Sequence, residues 1–235
     1  MIIASNFKTN HTRTSTKRYI EELNSFMIEN SIKEDVLVFP TATSFDNFDI
    51  NDSIMIGTQN AYPAEKGSFT GEIGCEQLDE FDIKTILIGH SERRHILKES
   101  SELILNKYNF YKEKNYTIVY CIGEPKEVRE EGLQSVLDYN FSQLEDIDLE
   151  YKNLIVAYEP VWAIGTGLTA TIEQIDETLS ALRNTIKAPL LYGGSVKVEN
   201  TKEILSIPNC DGILVGTASW DVENFKQMVK TAHEL

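Results

Sequence analysis

At 235 residues the chain can bury a sizeable core and is of the size that single α/β barrels commonly reach, so length alone gives no reason to divide it. Its 41% hydrophobic and 25% charged residues exclude a disordered chain, no apolar run approaches bilayer length, and "MIIASNFK" has no basic region ahead of a long apolar segment, so a cytoplasmic address is expected. The 22 Lys and Arg against 37 Asp and Glu leave a net charge of -15, which argues against nucleic acid and anionic membranes as partners; an anionic ligand must be attracted by local geometry.

Eight short apolar runs follow one another along the chain: "MIIASNFK", "VLVFP", "IMIGTQN", "TILIGH", "TIVYCIG", "LIVAYE", "PLLYGG" and "GILVG". Each is too apolar to have a wet face, as in strands of a parallel sheet covered on both sides. After the first run, Tyr19, Leu23, Phe26 and Met27 fall at helical spacing. "TATSFDNFDIND", between the second and third runs, looks short for a crossover, and so does the segment after Cys121. The third run leads into "NAYPAEKGSFTGEIGCEQL", a long loop-like stretch of the kind that serves binding or assembly. Past the sixth run, Thr171 with Gln174 reads as a capping box opening a helix with Ile175, Leu179, Leu182 and Ile186 on one face. Val222, Phe225, Val229 and Ala232 give the last helix its apolar stripe.

Eight such strands alternating with helices favour a closed (β/α)8 barrel in a single domain over residues 1–235. The alternative is an open doubly wound sheet, which concentrates ligand groups at one switch point. Here polar or glycine-rich signals follow strands scattered along the chain, at Lys8, Asn60, His90, Glu159, Ser195 and Gly216, and a barrel gathers all its strand ends around one mouth.

Those strand ends hold the residues that can carry chemistry. Glu159 stands between "LIVAY" and the glycine-bearing "PVWAIGTG"; taken alone, the motif fits a solvated loop acid better than a general base under a closing flap, for which Trp162 would supply apolar cover. "GTGLTA" satisfies the dinucleotide fingerprint but lies too far beyond its strand, and the next strand ends without an acid; no Gly-Lys-Ser or Gly-Lys-Thr is present. No cofactor is expected. His90 in "ILIGHSERR" is followed by what looks like the first turn of a short helix, whose N-terminus would keep the ring neutral and able to donate to a carbonyl oxygen. His11, His95 and His233 read as surface residues, and no second ligand stands at metal spacing from His90. Cys75, Cys121 and Cys210 are odd in number and lack C-x-x-C spacing, so neither a disulfide nor a zinc site is expected. Lys8 in "SNFKTN", with Glu92 as candidate counter-ion, fits a structural ion pair and an anion-binding or Schiff-base lysine equally. "YGGSV" and "LVGTAS" end the seventh and eighth runs where α/β barrels commonly bind phosphate on backbone N–H groups.

A carboxylate, a neutral imidazole, an ammonium and a phosphate cradle without metal suit proton abstraction beside a carbonyl in a small phosphorylated sugar. With "AYEPVWAIGTG", "SNFKTN", "IGHSERR", "CIGE", "YGGSV" and "DGILVGTAS" in order over almost its whole length, the chain closely resembles the triosephosphate isomerase family. The general role logic for such sites is established for that family. The resemblance implies interconversion of dihydroxyacetone phosphate and D-glyceraldehyde 3-phosphate through an enediolate. Glu159 would move the proton, His90 polarise the oxygens, Lys8 stabilise negative charge and Asn6 orient the substrate. Gly165, Gly194, Ser195, Gly216 and the residue after it, Thr217, would hold the phosphate. It also implies a homodimer in which the "GSFTGE" loop around Thr70 enters the second subunit. Four positions depart from the family pattern. Thr217 replaces a usual second glycine, Leu168 stands where lysine is frequent, and Phe7 and Thr9 flank Lys8. An aldolase using Lys8 as a Schiff base and a phosphometabolite-binding barrel without turnover remain the competing readings.

Overall fold

A computed structural model of the chain describes residues 1–163 and 169–235. Eight parallel strands, β1 (Ile2–Asn6), β2 (Asp35–Phe39), β3 (Ile54–Thr58), β4 (Thr85–Ile88), β5 (Thr117–Ile122), β6 (Leu154–Tyr158), β7 (Leu190–Tyr192) and β8 (Gly212–Val215), close into a barrel in chain order. The ring is sealed by β1 against β8, with Ile2 opposite Gly212 and Ser5 opposite Val215. Gly212 permits that seam, because a Cβ there would lie 1.9 Å from the Ile2 carbonyl oxygen.

The helices are α1 (Arg13–Glu29), α2 (Cys75–Asp79), α3 (Ser101–Glu113), α4 (Lys126–Glu130), α5 (Leu133–Ser142), α6 (Ile172–Arg183), α7 (Val198–Leu205) and α8 (Val222–His233). They do not alternate one for one with strands. Between β2 and β3 there is a single 3-10 turn, Ala42–Ser44, as the shortness of "TATSFDNFDIND" suggests, whereas the segment after Cys121 holds both α4 and α5. The long "NAYPAEKGSFTGEIGCEQL" stretch is irregular until Cys75, where α2 begins. The Thr171 and Gln174 capping box forms as expected, each side chain accepting from the other's backbone N–H.

Strand side chains alternate between two apolar regions. Ala4, Leu37, Phe39, Leu87, Val119, Cys121, Ile155, Ala157, Leu191 and Leu214 fill the barrel interior. Their neighbours, such as Ile3, Val36, Ile118, Val156 and Ile213, pack with the helices, where Tyr19, Leu23, Ile175, Leu179, Phe225 and Val229 are buried. This period of two also aims the groups at the barrel mouth.

Candidate active site

Carried two residues past each strand's last interior residue, the alternation leads to Asn6 from Ala4, Glu159 from Ala157, Gly193 from Leu191 and Gly216 from Leu214. All four line one cavity of about 340 Å³, together with Lys8, His90, Gly194, Ser195 and Thr217. Every catalytic or substrate-binding residue implied by the family resemblance that falls among the described residues therefore meets at this one mouth. Gly165, like Leu168, lies outside the described residues.

Glu159 is only 2% exposed, so its carboxylate needs partners. One oxygen, Oε2, accepts the Ser91 N–H at 3.1 Å, and the other, Oε1, lies 3.2 Å from His90 Nε2. The glycines around it are spatial requirements: a Cβ on Gly193 would stand 2.8 Å from Glu159 Cγ, and one on Gly123 1.7 Å from the Glu159 carbonyl oxygen. The strand stops where the acid begins, but its backbone stays tied, the Glu159 N–H donating to the Ile122 carbonyl at 2.7 Å.

His90 is reached through Gly89, whose φ of 76° turns the chain into the π-type turn Glu92–Ile96. Its Nδ1 accepts the Glu92 N–H at 3.2 Å, which places the ring proton on Nε2, facing Glu159. Arg94 fixes this corner, donating from Nε to the Gly89 carbonyl at 2.7 Å and from its terminal nitrogen to the Cys121 carbonyl at 3.1 Å.

Lys8 adopts a left-handed backbone, φ 52°, that costs a non-glycine residue about 1–3 kcal/mol and persists where surroundings over-determine it. Its N–H donates to Asn6 Oδ1 at 3.0 Å and its carbonyl accepts from Gln59 Nε2 at 2.8 Å. The Nζ pairs with Glu92 Oε1 at 2.7 Å, the counter-ion expected from "HSERR". Thr217 opens the 3-10 turn Thr217–Ser219 and is not among the residues with positive φ, so a β-branched residue sits there without strain.

Four expectations are corrected. Asn60 follows β3 but is a structural partner: its side-chain oxygen accepts from the buried Lys107 ammonium at 2.7 Å, and Lys107 also pairs with Glu99. Trp162 does not line the cavity, a position taken by Ala163 of the same turn; its indole N–H donates to the fully buried Glu124 at 2.9 Å, which also accepts from Tyr158. His11 is not a surface residue, since a left-handed φ of 67° folds its ring onto Phe7 at 4.5 Å and Tyr19 at 5.6 Å. His95 is half-buried, and burial lowers the proton affinity of both rings. Gly193 and Lys197, which line the cavity, and the Ser91 N–H and Arg94, which hold Glu159 and the Gly89 carbonyl, escaped sequence reasoning. For Gly193 the interior alternation carried one step past "LLY" was a usable signal. Among the described residues no three His, Cys, Asp or Glu side chains form a group able to hold a metal ion.

A buried carboxylate and imidazole at the C-terminal rim of a closed parallel barrel, with the family match that follows, put the protein among the α/β-barrel enzymes. A family model for triosephosphate isomerase matches residues 1–232. Similar chains include the triosephosphate isomerase of a Nitratiruptor species, 57% identical over 235 residues with both chains fully covered. That of Wolinella succinogenes is 55% identical over 98% of this chain and 99% of the relative, and that of Campylobacter concisus 49% identical over 99% of each. The chain belongs to the triosephosphate isomerase family, and the barrel and the isomerase activity expected from the sequence both stand.

Proposed function

We propose that the chain interconverts dihydroxyacetone phosphate and D-glyceraldehyde 3-phosphate at this mouth, with a specific division of labour. Glu159 removes a proton from the carbon beside the substrate carbonyl and returns it to the neighbouring carbon. His90, protonated on Nε2 and accepting on Nδ1, donates toward the substrate oxygens as negative charge develops. Lys8, an ammonium in its pairing with Glu92, stabilises that charge, and Asn6 orients the three-carbon chain. Gly194, Ser195, Gly216 and Thr217 supply the phosphate cradle, mostly through backbone N–H groups, with Gly165 joining them from outside the described residues. Donors fixed where charge develops are worth roughly 3–4 kcal/mol of barrier each. The single observation that carries this reading is the 3.2 Å approach of His90 Nε2 to a Glu159 carboxylate buried to 2% exposure inside the cavity.

The Lys8 ion pair disfavours the aldolase reading, since a Schiff-base lysine attacks as the free amine. The ordinary backbone at Thr217 removes the motive for a binding-only barrel. A coupled isomerase assay on purified protein, with and without a phosphoglycolate-type inhibitor, tests the assignment. Turnover in both directions and competitive inhibition are expected; analogue binding without turnover would make it a binding protein, and borohydride trapping of substrate on Lys8 would make it an aldolase.

The enzyme is further proposed to act as a cytoplasmic homodimer in glycolysis and gluconeogenesis. Its three cysteines are free and buried, in keeping with a reducing compartment. A second hollow, of about 470 Å³, adjoins Lys8 and His90 and is walled by Gln59, Arg93, Ile96, Leu97 and Trp220. Ile96 and Leu97 are 72% and 63% exposed, and Phe69, beside Thr70, is also exposed. We infer that the loop around Thr70 of a second copy enters this hollow and covers Ile96 and Leu97. Sedimentation at micromolar concentration is expected to give a dimer, and a charge introduced at Leu97 to give a monomer.

A further inference from the structure

Beneath the turn that follows β8 lies a buried hydroxyl network that the chemistry above does not use. Tyr19 of α1, 4% exposed, donates its hydroxyl proton to the Ser219 carbonyl at 2.7 Å. Ser5 of β1, fully buried, donates to Ser219 Oγ at 2.7 Å. Ser219 Oγ in turn donates to the Gly216 carbonyl at 2.8 Å, with the Val215 carbonyl at 3.1 Å, and the Ser219 N–H reaches the same Gly216 oxygen at 2.9 Å. Buried polar groups are tolerated when each is satisfied, and a satisfied network rigidifies what it joins. Here it joins β1, α1 and the turn after β8.

The direction of one peptide gives the network its consequence. No described peptide bond is cis, and in a trans peptide the carbonyl and the following N–H point in opposite directions. With the Gly216 oxygen held on Ser219 from two donors, the Thr217 N–H is turned away from Ser219, and Gly216 and Thr217 both line the cavity. We propose that Tyr19, Ser5 and Ser219 are positioning residues that hold the Gly216–Thr217 peptide with its N–H toward the substrate phosphate. The inference rests on the phosphate-cradle reading given above. Tyr19 reads in the sequence only as part of an apolar stripe, yet its ring is already packed against Phe7 and Phe225. The hydroxyl has the separate task of fixing the turn.

Tyr19→Phe in the full chain removes the hydroxyl and keeps the ring. The readout is kcat/KM on D-glyceraldehyde 3-phosphate against kcat/KM on D-glyceraldehyde, which has the same carbon chain without phosphate. Loss of one aligning hydrogen bond is expected to lower the first roughly fivefold, mainly through KM, and to leave the second unchanged. Ser5→Ala is expected to act in the same direction, and the double variant to lose less than the product of the two, because both act on one turn. If Tyr19→Phe does not fold, Ser5→Ala carries the same test. Equal loss on both substrates, or lowered thermal stability without phosphate-selective loss, overturns the proposal. Thr217→Pro separates the two levels: it deletes the N–H at the first position of a helical turn, where proline is tolerated. No phosphate-selective loss in Thr217→Pro defeats the cradle reading itself. Selective loss there, with none in Tyr19→Phe or Ser5→Ala, defeats the positioning role alone.

Discussion

The β2–β3 side of the barrel and the β6–β8 side are built from the same kind of short parallel strand but to different tolerances. Between β2 and β3 the chain makes one 3-10 turn and then an irregular path held by Asn24, whose oxygen accepts from both the backbone and side-chain N–H groups of Asn51. Phe45 plugs that side, packing on Phe81 at 5.8 Å. No residue of that connection lines the cavity; Gln59, just past β3, supports it indirectly by holding the Lys8 carbonyl. On the opposite side, Glu159 lies between the Gly123 and Gly193 backbones, and the turn after β8 is pinned by Ser219. A crossover helix can be dispensed with where only core must be covered, whereas backbone position cannot be relaxed where the groups proposed to react are mounted.

The comparison predicts large kinetic effects on one side and purely thermodynamic ones on the other. Glu159→Gln keeps the shape and the acceptor for Ser91 but removes the proposed base; steady-state kinetics should show kcat down roughly a thousandfold or more with phosphate-analogue affinity nearly unchanged. Retained turnover would remove Glu159 from that role. Gly193→Ala forces Glu159 Cγ to move from a 2.8 Å contact, and displacing the proposed base is expected to cost roughly tenfold to a hundredfold in kcat, read by steady-state kinetics on the folded variant. On the helix-less side, Phe45→Ala should cost about 3–4 kcal/mol of unfolding free energy, read by denaturant titration, while kcat stays at the wild-type value. A matching kinetic loss there would erase the distinction between the two sides.

Thr217→Gly sharpens it on a smaller scale. Threonine already fits this turn, so KM is expected to stay the same or fall slightly, and a large rise would assign the side chain a part in binding. His11→Asn addresses pH, since asparagine tolerates the left-handed backbone. Burial lowers the His11 proton affinity below the ordinary imidazole value of 6.5, so the unfolded chain binds the proton more readily and stability falls as pH drops below 6.5. Melting curves between pH 7 and about 5.5 should show a shallower acid-side decline in the variant, with a residual slope from His95, whose proton affinity is lowered in the same sense.

How much of this was legible follows the range of the forces involved. The eight strands were readable because residues buried on both faces leave continuous apolar runs, and the Thr171 cap because its partners are three residues apart. The pairing of Lys8 with Glu92 was readable from charge and the order of strand ends. Asn60 misled because its partner, Lys107, lies 47 residues further on, and a buried lysine on α3 leaves no local mark. Trp162 misled because an indole serves equally as apolar cover and as a donor, and only the fold brings buried Glu124 beneath it. His11 depended on a single dihedral angle. The Ser91 N–H, which holds the other oxygen of Glu159, belongs to the backbone and has no side-chain signature.

The central claim is that acid, imidazole and ammonium converge on one three-carbon guest whose phosphate rests on the loops after β7 and β8. A crystal structure of the chain with a phosphoglycolate-type analogue tests it most directly. The account predicts the analogue's carboxylate accepting from His90 Nε2 and lying beside Glu159, and its phosphate on the N–H groups of Ser195 and Thr217. An analogue seated elsewhere, or a phosphate held away from both loops, would contradict it.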